Sequence, residues 1–335
     1  MAFSTYQGVF IKGIVNVIPS TIEDNLEFSL ISLEDRLKLV EHTGIRFRRI
    51  VNNNNHTVKY LFQKGCEELL NKLGWESHSV HLLICVTQTS IQTIPSIACQ
   101  LHEELKLAAD ALCFDMNLGC SGYTYGLNTI ISLLKSIEGK KVRAILCSGD
   151  ISSILIDSND KATKPIFSDA VSVTGIELDK QDEFISAFFN LQTIGSGSKA
   201  IYTEMNNNQQ PVMKLNGIDV FNYSVRYVPS NILELFNYAK MQQNMSAAFI
   251  FHQANQIINN VLIKKLNLDH SVVPSTLHEY GNTSSASIPI TLTKFIQMNN
   301  PQNQWVLISG FGVGFSLASA LIFISKNIYC KTLEL

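Results

Sequence analysis

The chain has 335 residues, 46% of them hydrophobic and 16% charged, with a formal net charge of −2. It can therefore bury a substantial core in one large or two ordinary domains, and it offers no broad basic face for nucleic acid. No apolar run reaches bilayer length, the N-terminus lacks the parts of a secretory leader, and the seven cysteines form no CxxC pair, so a cytoplasmic protein with reduced thiols and no metal is expected.

The first strand-like run is "GVFIKGIVNVIP" (8–19), which ends in a turn. The basic "RFRRI" (46–50) reads as a solvated or carboxylate-paired edge, and "NNNN" (52–55) as a loop. Strand-like "HLLICVTQT" (81–89), "ALCFDMN" (111–117) and "VRAILCSG" (142–149) then alternate with helix-like "IPSIACQLHEELKL" and "GLNTIISLLKSI". That alternation predicts an α/β fold with buried, largely parallel strands. The second half repeats the order with "AAFIFHQAN" (247–255), "QIINNVLIKKLNL" and "ITLTKFIQM". Each half closes on a paired-strand pattern, at 164–179 and at 304–325, while 195–211 reads as an exposed loop or hairpin. One module used twice is the expectation, split into 1–178 and 179–335 where "ELDKQDEF" gathers charge.

Between the 111–117 strand and the next helix stands "NLGCSG" (117–122). Gly119 and Gly122 suit unusual φ/ψ or close approach. The helix that follows carries Leu127, Ile130, Leu133, Leu134 and Ile137 on one face, so Cys120 falls at a helix start. Free N–H groups and the macrodipole there favour a thiolate. A small buried hydrophobe is the other reading, and residue type alone leaves both open. A nucleophile needs partners for protons and oxyanion charge. His252 ends an apolar run, Asn282 follows Gly281 ahead of an apolar helix, and "ISGFGVGFS" (308–316) ends a strand on glycines that can aim N–H groups at an oxyanion. Taken singly, these are a core histidine, a turn and a strand end.

Taken together, "NLGCSG", "FHQAN", "YGNTSSASIP" and "GFGVGF", in this order and spacing, resemble the β-ketoacyl-[acyl-carrier-protein] synthase III family of the thiolase superfamily. So do "TGIRFRR" (43–49), "TQTSIQTIPSIACQL" (87–101), "IFSDAVSVTG" (166–175) and "LNGIDVFNYSV" (215–225), so the resemblance spans almost the whole chain. It implies a thiolase-like duplicated five-layered αβαβα fold and a homodimer. It implies that Cys120 accepts the acyl group, that His252 and Asn282 are the paired donors, and that the backbone N–H groups of Cys120 and Val313 form the oxyanion site. Phe311 and Ile94, the latter in "TIP" (93–95), are then expected to shape the acyl pocket. The implied reaction is decarboxylative Claisen condensation of an acyl thioester with a malonyl-type thioester. An acyl carrier protein is the implied partner, and no cofactor is expected beyond the phosphopantetheine thioesters of the substrates.

The chain departs from the family where substrate is delivered. Lys38 and His42 stand where a Trp and an Arg would clamp the adenine of coenzyme A, Lys161 replaces a second arginine, and Gln256 follows "HQAN" where a basic residue is common. These positions are expected to bind substrate and to point to a specialised pathway. Acyl transfer from Cys120 to an alcohol or amine, and a non-catalytic partner subunit, are the alternatives; the intact Cys120, His252 and Asn282 count against the second.

Overall fold

The computed structural model describes residues 2–53, 55–301 and 303–335; Asn54, within the expected 52–55 loop, lies outside them. In chain order the strands and helices are β1 (Ala2–Gln7), β2 (Val9–Ile18), β3 (Ile22–Asp24), α1 (Leu33–Thr43), β4 (Phe47–Arg49), α2 (Val58–Leu73), β5 (Leu82–Val86), α3 (Ile97–Glu104), β6 (Leu112–Met116), α4 (Gly122–Ser136), β7 (Lys141–Asp150) and β8 (Ala170–Asp179). There follow β9 (Ile185–Thr193), β10 (Ile201–Met205), β11 (Pro211–Leu215), α5 (Gly217–Ala239), β12 (Ser246–Phe251), α6 (Gln256–Lys265), α7 (Leu277–Tyr280), α8 (Ser287–Asn299), β13 (Gln304–Gly312), β14 (Ser316–Ile324) and β15 (Tyr329–Glu334).

Two sheets hold the core, one ordered β15-β2-β8-β7-β5-β6 and the other β1-β9-β14-β13-β12. Their runs of fully buried residues, such as Leu82–Val86, require cover on both faces, and three helical layers supply it. Leu127, Ile130, Ile131 and Leu134 of α4, with Ile288 and Leu292 of α8, fill the space between the sheets. Val58, Leu61, Phe62 and Leu69 of α2 cover the outside of the first sheet, and Ile232, Leu235 and Phe236 of α5 with Ile258 and Leu262 of α6 cover the outside of the second. This is the five-layered αβαβα arrangement. Each buried Leu or Ile of α4 is worth roughly 1.5 to 3 kcal/mol, so the central layer also fixes the ends of the helices that carry the site.

Two expectations are corrected. The strands are not largely parallel: β5 is parallel to β6 and β7, β12 to β13 and β15 to β2, but the other pairs of both large sheets are antiparallel. No α-helix intervenes between β7 and β8 or between β13 and β14, and those strands therefore return antiparallel. Across the expected division at 178 and 179, β1 pairs with β9 in the second sheet and β15 pairs with β2 in the first. Each terminal strand thereby covers a backbone edge of the other half. Finally, 164–169 forms no strand and contributes one bridge, Phe167 to Asn282. The 195–211 region does become a hairpin, β10 with β11.

Candidate active site

Cys120 lies between the end of β6 and the start of α4 and is 5% exposed. The glycines around it serve close approach. A Cβ on Gly119 would stand 2.5 Å from Gln88 Oε1, and one on Gly122 would stand 2.5 Å from Val86 Cγ1, while neither residue has a left-handed φ. The same is true across the gap to β13, where a Cβ on Gly310 would meet Cys120 O at 2.9 Å and one on Gly312 would meet Sγ at 3.0 Å. Gly312 also has φ 157°. The backbone N–H groups of Cys120 and Val313 and the hydroxyl of Ser284 lie near Sγ and favour its charged form. Two N–H groups aimed at one sulfur can also hold the oxygen of a thioester attacked there.

The other two groups arrive from the second half. His252 directly follows β12, its N–H donating to Ser309 O at 2.8 Å, and its Nδ1 lies 2.7 Å from the Ser287 hydroxyl at the start of α8. Its ring also hydrogen-bonds with the backbone of Ser284 and meets Phe311 edge-on, with centroids 5.5 Å apart. Asn282 is buried in the turn before α8, tied on both sides: its N–H donates to Ile166 O at 3.0 Å, and its carbonyl accepts from Ser168 N–H at 2.9 Å. Asn282 Oδ1 accepts from Ser284 N–H at 3.0 Å, which leaves Nδ2 as the donor end. The nucleophile at the head of α4 and the amide just ahead of α8 are thus set by the two central helices.

Burial overrides the helix-start effect expected at the thiol. It pushes Cys120 up to about 12, and the neighbouring Asp150 carboxylate adds to the rise. The resting group is a neutral thiol and not the thiolate expected from its position. Burial also brings His252 down to about 3, so the imidazole is neutral at all ordinary pH. One consequence is measurable. The single-turnover condensation rate of the acyl-enzyme will show no acid limb near the ordinary histidine value of about 6.5; a limb there that vanishes in His252→Gln would contradict a neutral imidazole.

Models of one protein family match both halves of this site: 3-oxoacyl-[acyl-carrier-protein (ACP)] synthase III over residues 114–195, and its C-terminal part over 237–324. A putative 3-oxoacyl-[acyl-carrier-protein] synthase 3 of Campylobacter jejuni is 30% identical over 348 residues, which cover 96% of each chain. The chain belongs to the synthase III family. A β-ketoacyl-[acyl-carrier-protein] synthase III of Streptococcus agalactiae is 26% identical, over 93% of this chain and 98% of its own. The crystal structure of a 3-oxoacyl-(acyl-carrier protein) synthase from Burkholderia xenovorans superposes with a TM-score of 0.92 at 30% identity, covering 99% of both chains. Like the family, this synthase is an acyltransferase with the thiolase fold.

The residues expected on the substrate side fall in two places. Lys38 and His42 are exposed on α1, and Gln256 opens α6 with its side chain against Gly44, the left-handed cap of α1. These three therefore share one face. Lys161 is exposed on the segment between β7 and β8. The 46–49 edge is carboxylate-paired: Arg46 with Asp24 at 3.0 Å, buried Arg48 with Glu23, and Arg49 with Glu334 at 3.4 Å. Phe311 is buried against His252. Ile94 is 83% exposed on the segment before α3 and does not border the Cys120 cavity of its own chain. That cavity, about 20 Å³ in volume, includes Asp150, Ser152 and Ser284, which the sequence reading did not single out. Their signals were present, an acidic residue closing the apolar run "VRAILCSGD" and a hydroxyl cluster in "GNTSSAS".

Proposed function

We propose that this synthase transfers an acyl group from a thioester to Cys120 and condenses it with the enolate of a malonyl-type thioester, releasing CO₂. The observation that carries the reading is two backbone N–H groups at Cys120 Sγ, with a neutral imidazole and a carboxamide both set against the Ser284 that adjoins the thiol. Neutral donors hold enolate oxygen without opposing its charge, which suits decarboxylative condensation better than transfer to an alcohol or amine. Intact-mass spectrometry after exposure to acyl-coenzyme A and acyl-carrier thioesters tests it. A mass gain on Cys120, followed by a product two carbons longer and release of CO₂, is expected; transfer without CO₂ would contradict it.

Its relatives, named for an acyl carrier protein, support such a carrier as partner. The proposal includes a carrier-bound donor, a specialised pathway, a cytoplasmic location and a homodimer. A second copy would cover the exposed Ile91 and Ile94, and Ile94 would meet an acyl pocket through the partner. Lys38 offers no stacking plane for adenine, a loss on the order of 1 kcal/mol or more. Its ion pair with Glu34 is surface-exposed and so contributes little, which leaves the ammonium available to an acidic carrier. For one acyl chain, kcat/KM will be higher on the carrier than on coenzyme A, and the advantage will shrink as salt rises. Equal or better use of the coenzyme A form, with no salt dependence for the carrier form, would contradict this.

A further inference from the structure

Asp150 ends β7 beneath the nucleophile and is 2% exposed. Three donors from the segment after β5 fall on its Oδ1: Gln88 N–H at 2.6 Å, the Thr87 hydroxyl at 2.8 Å and the Thr89 hydroxyl at 3.2 Å. None of these three donors uses Oδ2, and the Ser284 hydroxyl lies near both this carboxylate and Cys120 Sγ. Ser284 is held at φ 52°, a left-handed conformation unusual for serine, with its N–H on Asn282 Oδ1 and its backbone on His252. Cys120, Ser284 and Asp150 line the same small cavity.

We propose that Ser284 relays the Cys120 proton to Asp150 when the thiol attacks its thioester. The inference rests on Cys120 being the nucleophile. As the S–H bond breaks, its proton passes to Ser284 Oγ while the Ser284 proton passes to Asp150 Oδ2. The electron pair left on sulfur forms the S–C bond, and the negative charge moves from the carboxylate to the carbonyl oxygen held by the Cys120 and Val313 N–H groups. On collapse of the adduct, the proton returns by the same route to the departing thiolate, and Asp150 is ionised again. The site carries one negative charge throughout, so no ion pair is created in a buried cavity. His252 is the other titratable group against Ser284 and stays neutral, so it does not compete for the proton.

The rate of Cys120 alkylation by iodoacetamide, followed on its own peptide across about pH 6 to 8, tests the relay. Asp150 and the thiol share one proton over that range, so the wild-type rate will be nearly flat. Asp150→Asn and Ser284→Gly will be slower at pH 6 by at least about tenfold, and their rates will climb about tenfold per pH unit as free thiolate accumulates. Glycine suits φ 52° and removes only the hydroxyl, so Ser284→Gly decides the matter if Asp150→Asn does not fold. A flat profile in a folded variant would overturn the relay. So would faster alkylation of Asp150→Asn at every pH, the outcome if the carboxylate only repels the thiolate. Inactivating label on another cysteine would overturn the nucleophile assignment instead.

Discussion

Cys120→Ala will form no acyl-enzyme and no condensation product, while keeping the fold of the parent. The side chain supplies the only atom that two backbone N–H groups and the Ser284 hydroxyl address together among the described residues. No other thiol can substitute. Cys85 and Cys147 are fully enclosed beneath the first sheet, with burial the main cause that raises both, and Cys66 lies 3.6 Å from Cys147 in the same interior. Cys99 is exposed on α3 and will label as a surface thiol without loss of activity. Peptide mapping after alkylation will therefore tie inactivation to Cys120 alone. An inactivating label on Cys99, Cys85 or Cys147 would show that the acyl acceptor lies elsewhere.

His252→Ala and Asn282→Ala will separate the two half-reactions. Condensation will fall roughly 10² to 10³-fold in each, the scale for removing one donor from an oxyanion. Acylation of Cys120 will fall far less, because the Cys120 and Val313 N–H groups serve that step and remain in place. Single-turnover acylation by intact mass, set against the rate at which preformed acyl-enzyme is consumed, measures both. Equal loss in both steps would contradict the division of labour. Asn282 also anchors Ser284 through Oδ1, so Asn282→Asp keeps that acceptor and removes the donor. It will lose condensation as well, since a carboxylate opposes the enolate.

The proposed site was legible in the sequence only when its motifs were taken together. Cys120 and His252 follow the ends of strands, and Asn282 stands in a turn ahead of an apolar helix, junctions that local pattern sets. Alternation of strand and helix likewise gave the α/β class, and the family resemblance gave the αβαβα layers. What local pattern could not give was the strand arrangement. Pairing direction depends on which edges remain open once the layers form, and so β1 and β15 each complete the sheet of the other half.

The same distinction governs the chemistry. By itself the sequence determined the fold class and the family, and it pointed to the residue types proposed to attack, donate and hold the oxyanion, because these follow from ordered motifs and their spacing. Only the tertiary structure decided the charge on those residues. A helix start favours a thiolate, yet enclosure by β13 and the 313–315 turn removes the water that would solvate it, and burial is the largest cause of the raised thiol. The burial that neutralises His252 comes from packing against Phe311 and α8, elements dozens of residues away in the chain. Asp150 joins Cys120 only because β7 lies beside β5 in the sheet and Ser284 reaches across from the other half. Protonation depends on solvent access and on through-space neighbours, and both are properties of the folded chain.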